Sequence, residues 1–238
     1  LFAGGYDGSY KSTVDAYNTE LVRSTPTALS AARRRLAGAS VGDYALFAGG
    51  YDGSNYKSTV DAYNTDLVRS TPTALSVARA NLAGASVGNY ALFAGGSGSS
   101  GEYMKTVDAY NASLVRSTPT ALSVARNGLA GASVGNYALF AGGYDGSYKS
   151  TVDAYNTSLV RSEPTALSVA RSVLAGASVG NYALFAGGSD SSSSHSNAVD
   201  AYNASLVRSE PTALSVARSV LAGASVGDYA LFAGGYSG

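Results

Sequence analysis

The sequence predicts an all-β chain built from five copies of one four-stranded antiparallel unit. Three observations carry that reading. The Tyr of the word VDAYN falls at Tyr17, Tyr63, Tyr110, Tyr155 and Tyr202, a recurrence every 45–47 residues, which is the length of a supersecondary unit that stacks on its own copies. Within each unit, short apolar and β-branched runs are separated by Gly, Asn, Asp and Ser, as strands joined by turns would be. The word ALFAGG returns at 45–50, 91–96, 138–143, 183–188 and 230–235, and its last five letters open the chain at Leu1–Gly5.

The strands of a unit are called a to d in chain order. Strand a, in the LAGASVG word (36–42), is made of Ala, Gly, Ser and Val, which suits a place where several backbones converge and no large side chain fits, so it is expected innermost. Strand b, Tyr44-Ala45-Leu46-Phe47-Ala48, has apolar residues at both parities and is expected to be covered on both faces. The following Gly-Gly pair lets the chain turn with positive φ or pass close to another backbone. Strand c alternates Val60 and Ala62 with Asp61 and Tyr63 and is expected to be partly exposed. Strand d lies in LVRSTPTALS (67–76).

Bulk composition excludes more than it proposes. Lys plus Arg and Asp plus Glu are both 16, so no global charge attracts nucleic acid or an anionic membrane surface. The absence of Cys removes disulfides, thiolate metal sites and a cysteine nucleophile. No apolar run is long enough to span a bilayer. The chain starts inside a repeat without Met and shows no signal-peptide pattern, as a piece of a longer array or a designed sequence would.

A unit of this length with ALFAGG, a V-D-x-Y-N strand and an Arg ahead of the next Gly-containing strand resembles the kelch repeat, over all five units. It departs from that family in having no Trp; Leu67-Val68 and their equivalents stand near where the ring would be. The resemblance implies a five-bladed β-propeller of four-stranded antiparallel blades, spanning residues 1–238 as one domain. It further implies closure by N- and C-terminal strands that share a blade, latching the ring, with Leu1–Gly5 and its duplicate in 230–235 competing for one slot, so that one copy is displaced, swapped into another molecule or the start of a further unit. It also decides the segment STPTALSVARANLAG. Taken alone, that segment carries helix signals, with Thr as N-cap, Pro at the first position and Gly past the end; the resemblance assigns it extended or loop structure.

Near-identical units make their differences informative. One variable zone is the b–c loop: YDGSYKS (6–12), YDGSNYKS (51–58), SGSSGEYMK (97–105), YDGSYKS (144–150) and SDSSSSHSN (189–197). The other is the pair after the repeated Arg: Arg34-Arg35, Ala80-Asn81, Asn127-Gly128, Ser172-Val173 and Ser219-Val220. In an antiparallel blade the b–c and d–a connections emerge on the same side, so both zones are expected on one face. The candidate ligand-contacting residues are Arg34, Arg35, Asn81, Asn127, Ser172, Ser219, Tyr6, Tyr51, Tyr103, Tyr144 and His195.

Other motifs have competing readings. Arg33, Arg79, Arg126, Arg171 and Arg218 would form a cationic ring for a carboxylate or phosphate, or would anchor loops. Asp61 and Arg69 read as an exposed cross-strand pair of little energetic weight. YDGS is first a turn signature and only weakly a cation or phosphate loop. The lone His195 lacks the companions a zinc site or a hydrolytic triad needs. Asn111, Asn156 and Asn203 stand in N-x-S sequons but also at c–d turns.

These features point to a non-catalytic propeller scaffold that binds protein or peptide, with no cofactor, no metal, and no nucleic-acid or membrane partner. The alternatives are a multivalent, carbohydrate-binding lectin-like propeller and a structural or engineered repeat with no ligand. A monomer is expected, and the duplicated terminal strand offers a route to a strand-swapped oligomer.

Overall fold

The computed structural model describes residues 1–191 and 194–237. Among them every regular element is a strand. The N-terminal sheet holds β1 (Phe2–Ala3), β2 (Val14–Tyr17) and β3 (Arg23–Ser24). Four four-stranded antiparallel sheets follow. They are β4 (Ala37–Val41), β5 (Tyr44–Ala48), β6 (Val60–Tyr63) and β7 (Arg69–Ser70), then β8 (Ala83–Val87), β9 (Tyr90–Ala94), β10 (Val107–Asn111) and β11 (Arg116–Ser117). Next come β12 (Ala130–Val134), β13 (Tyr137–Ala141), β14 (Val152–Asn156) and β15 (Arg161–Ser162), then β16 (Ala175–Val179), β17 (Tyr182–Ala186), β18 (Val199–Asn203) and β19 (Arg208–Ser209). The chain ends with the pair β20 (Ala222–Val226) and β21 (Tyr229–Ala233).

The sheets are the blades of a propeller. Successive a strands β4, β8, β12, β16 and β20 pack side by side and line, with Leu1–Ala3, a central channel of about 560 Å³. Small residues make this possible. A Cβ placed on Gly84 would strike the carbonyl of Gly38 in the preceding blade, and Gly131, Gly176 and Gly223 repeat the relationship. The serines of strand a stitch neighbours together: Ser86 Oγ donates to the Ser40 carbonyl at 2.7 Å, Ser133 Oγ to Ser86 at 2.6 Å and Ser178 Oγ to Ser133 at 2.7 Å.

Blades pack as asymmetric wedges. The Ala-Leu face of one, such as Leu92, Ala94 and Val107, covers Phe140 and Tyr155 of the next, and the same seam recurs along the array. Strand b is therefore buried on both faces, as its composition requires. Strand c differs from expectation. VDAY is wholly buried in the four complete blades, because the d–a segment of the preceding unit folds over the polar side of strand c. That segment contains no helix: its Leu75 N–H bonds the Ser58 carbonyl at 2.8 Å and its Ser76 bonds Asp108, so tertiary partners replace the local helix bonds.

The expected shared blade requires correction. β20 pairs with β21 over five residues and β1 pairs with β2 over two, so both copies of strand b are built into sheets and no pairing joins β20 to β1. The blade thought to be shared is present as two halves, one lacking strand a and the other lacking strands c and d.

Candidate functional site

The d–a segment crosses from one blade to the next and is fixed at its middle by an arginine. Arg33, Arg79, Arg126 and Arg171 are fully buried. Each meets the Asp of the following strand c: Arg33–Asp61 at 2.7 Å, Arg79–Asp108 at 2.8 Å, Arg126–Asp153 at 2.7 Å and Arg171–Asp200 at 2.7 Å. The same guanidinium also donates to the strand b carbonyl, as Arg79 does to Phe93 at 3.0 Å. The cationic-ring reading is thereby overturned in favour of the anchoring one, since these charges are spent inside the protein. Nor are Asp61, Asp108, Asp153 and Asp200 exposed; each is buried, and Arg69, Arg116, Arg161 and Arg208 are second partners at 3.5, 3.3, 2.7 and 2.6 Å.

Three further bonds complete each latch. Ser30, Ser76, Ser123 and Ser168 donate N–H and hydroxyl to the two carboxylate oxygens, and Tyr63, Tyr110, Tyr155 and Tyr202 donate hydroxyls to Thr carbonyls of the d–a segment at 2.7–2.8 Å. Burial alone would raise the Asp200 carboxyl, but the Ser168 N–H, Arg208 and Arg171 outweigh it and hold the group below its ordinary value. Burial, with the nearby Asp61 charge, pushes the Tyr63 hydroxyl up to about 12.

With its arginine held, the segment presents the variable pair to one end of the propeller. The first member bridges by backbone to the b–c loop: Arg34 with Tyr51, Ala80 with Ser97, Asn127 with Tyr144, Ser172 with Ser189 and Ser219 with Tyr236. Both variable zones therefore share a face, as the alternation of strands requires. The second member has positive φ at every blade: Arg35, Asn81, Gly128, Val173 and Val220. These five residues ring the channel mouth through backbone bonds, Asn81 N–H to Arg35 at 3.0 Å, Gly128 to Asn81 at 3.0 Å, Val173 to Gly128 at 2.7 Å and Val220 to Val173 at 3.0 Å. The mouth is an open depression of about 330 Å³, floored by Leu36, Leu82, Leu129, Leu174 and Leu221.

Around that mouth lie aromatic rings. Tyr6 packs on Tyr10 with centroids 5.1 Å apart, Tyr10 on Tyr51 at 6.0 Å, and Tyr51 on Tyr56 at 5.2 Å. The Arg34 guanidinium sits 4.7 Å from the Tyr6 ring centre and 5.4 Å from that of Tyr10, within reach of cation–π attraction. On the other side Tyr103 meets Tyr144 at 5.9 Å, and Tyr144 meets Tyr148 at 5.3 Å. His195 meets Tyr236 edge-on at 5.2 Å. Ser172 and Ser219 are only 8% and 3% exposed, beneath their bridges, so the solvent-facing members of those two pairs are Val173 and Val220.

Sequence reasoning missed the second rings Tyr10, Tyr56 and Tyr148, whose signal was the Tyr that closes each YDGS loop, and Tyr236, which follows the last Gly-Gly as Tyr51 follows Gly49-Gly50. The loops themselves are turns: Asp52 Oδ1 accepts from Ser54 N–H at 2.9 Å and Asn55 N–H at 2.7 Å, and the hydrogen bond from Lys57 holds its carboxyl at about 2. Among the described residues no three His, Asp or Glu side chains gather as metal ligands. Of the 189–197 loop, Ser192 and Ser193 lie outside the described residues. The sequon Asn111 caps its c–d turn, its Oδ1 accepting from Ser113 and Val115 at 3.0 and 2.9 Å, and Asn156 and Asn203 do the same.

No family model matches the sequence, and no curated protein matches it. The solved structure of YjhT is similar, with a TM-score of 0.76 and 12% identity over 96% of this chain and 91% of that one. At that identity the likeness concerns the fold, a propeller-like repeat architecture.

Proposed function

We propose that the chain is a non-catalytic propeller of kelch-like repeats that binds a protein or peptide on the face made by its b–c loops and d–a segments. The observation that carries this reading is the bridged pairing of the two variable zones around one channel mouth, set on strands that barely change from blade to blade. Five equivalent positions there carry Arg35, Asn81, Gly128, Val173 and Val220, so the mouth has no rotational symmetry to offer five identical small ligands. A single irregular surface suits it better. Neither Arg34 nor Arg35 has a carboxylate partner among the described residues, which favours an acidic side chain on the ligand at that edge.

Binding selection from a displayed peptide library tests the reading. Enriched sequences should be acidic, and their binding should fall at least about tenfold when Arg34, Arg35 and Asn81 are replaced by Ala. Absence of any enriched sequence would count against it. A lectin reading draws on one observation, the Tyr pair at the same loop position in three blades, Tyr6–Tyr10, Tyr51–Tyr56 and Tyr144–Tyr148. Glycan-array binding that survives the Arg replacements and is lost with Tyr10, Tyr56 and Tyr148 would favour it.

A further inference from the structure

Of all the variable pairs that follow the anchoring arginines, Asn127-Gly128 alone is an Asn-Gly step, and the sequence holds no other. Its chemistry is set by the small second residue. A backbone nitrogen can attack the side-chain carboxamide carbon of the Asn before it, and glycine has no side chain to obstruct the approach. A bond forms from Gly128 N to Asn127 Cγ, and the carboxamide nitrogen leaves as ammonia, taking the Gly128 amide proton. Water then opens the cyclic imide to aspartate or isoaspartate.

The other candidates for this reaction are obstructed. Asn64, Asn111, Asn156 and Asn203 each commit the side-chain oxygen to two backbone N–H groups of their own turn, and the residue after each carries a side chain. Asp7-Gly8, Asp52-Gly53 and Asp145-Gly146 lead to the same imide, but lysine partners keep these carboxylates ionised, and a carboxylate is a poor electrophile. Asn127 is partly exposed, and its side chain makes no hydrogen bond among the described residues.

Its main chain, by contrast, is held on several sides. Asn127 N–H donates to the Tyr144 carbonyl at 3.0 Å, and Tyr144 N–H returns a bond to the Asn127 carbonyl at 2.8 Å. Gly128 N–H, the group that must lose its proton, donates to the Asn81 carbonyl at 3.0 Å. Arg126, one residue earlier, is locked to Asp153 at 2.7 Å. Bringing the Asn127 carboxamide over the Gly128 nitrogen turns the peptide between them and breaks these backbone bonds.

We infer that Asn127 is a deamidation site gated by the fold, converting to aspartate or isoaspartate only while the Arg126–Gly128 segment is open, at a rate set by how often it opens. The product places a new carboxylate on the face that carries both variable zones. Isoaspartate also threads its β-carbon into the main chain where the row of bonds around the channel mouth runs from Asn81 through Gly128 to Val173. The inference rests on main-chain geometry and is independent of what that face binds.

Peptide mapping by mass spectrometry, on the full chain ageing in mildly alkaline buffer, tests it. In urea above the unfolding transition Asn127 should deamidate before any other asparagine. The same site in the folded chain should react more slowly by at least about tenfold. Urea below the transition should raise the folded rate while the far-ultraviolet spectrum is unchanged. Asp153→Ala, which unlocks Arg126, should raise it more than Asp61→Ala, which unlocks Arg33 at another junction. A Cβ on Gly128 meets Val173 Cγ1 at 3.5 Å, an ordinary contact, and Val173 itself has positive φ, so Gly128→Val should fold and should abolish the reaction. The proposal is overturned if Asn127 is not the first asparagine to react in the unfolded chain, or if folded and unfolded chains react equally fast. It is equally overturned if urea below the transition leaves the rate unchanged, if the two Asp variants speed it alike, or if Gly128→Val fails to suppress it.

Discussion

Arg79 Nη2 lies 2.8 Å from Asp108 Oδ2, both side chains withdrawn from water, across a boundary between two repeats. The Arg comes from the segment that leaves one blade and the Asp from the third strand of the next. Burial lowers the Arg79 guanidinium from its ordinary value against the opposing pull of Asp108, and the carboxylate offsets the cost of holding that charge away from water.

Removing one partner should therefore be far worse than removing both. Asp108→Ala is expected to cost about 3–5 kcal/mol, because an unpaired guanidinium is left inside. The double replacement of Arg79 and Asp108 by Met and Leu should recover most of that loss. Urea unfolding of the three proteins checks it; equal losses in the single and double variants would contradict the pairing.

Inner-strand glycines should differ according to what lies beside them. A Cβ on Gly131 would run into the Gly84 carbonyl, whereas one on Gly38 meets the Phe47 ring at 3.5 Å, an ordinary contact. Gly131→Ala should lower the unfolding midpoint strongly, and Gly38→Ala should leave the chain as stable as before or slightly more so. Equal sensitivity at the two sites would mean the blade spacing is wrong.

The Tyr63 hydroxyl, pushed up to about 12 against an ordinary 10.0, stays protonated in the folded chain at pH values where the unfolded chain gives up its proton. The unfolded state then binds fewer protons, so stability is complete below pH 10 and falls as pH rises toward 12. Tyr110, Tyr155 and Tyr202 are pushed up in the same direction by burial and add to the slope. Unfolding followed by tyrosinate absorbance should show a late, cooperative ionisation step over that window. Gradual ionisation without unfolding would show these hydroxyls to be accessible.

At the channel mouth Val173 and Val220 have φ of 50° and 58°, a region where a β-branched residue is strained. Val173→Gly should stabilise the fold by about 1 kcal/mol, because the position needs no side chain for its backbone bonds. Thermal unfolding checks the sign. A loss of stability would assign the Val173 side chain a packing role that its exposure does not suggest.

The repeat length, the strand words and the place of each strand could be read from residue type, because Ala-Gly-Ser-Val fits only a crowded axis and YALFA only a strand covered twice. The shared face of the variable zones followed from strand reversal alone. The Arg33–Asp61 latch was not legible, since its halves lie in different units and the local pattern of strand c looks amphipathic. Its signal was invariance: Arg and Asp persist in every unit while neighbouring loop residues change. The split end blade was also beyond sequence, because two identical copies of LFAGG carry no information about which one a strand will accept. At the candidate site, residue type located the loops, but the stacking of Tyr10 on Tyr51 depends on the angle between blades.

Because every latch straddles a unit boundary, a block of 45–47 residues excised or duplicated in frame carries one donor and one acceptor wherever it is cut. Unequal crossing-over within the coding repeat then lengthens or shortens the protein without orphaning a single interior charge. The number of blades is free to drift under recombination, and selection on repeat count can act through the width of the central opening while the seams remain untouched.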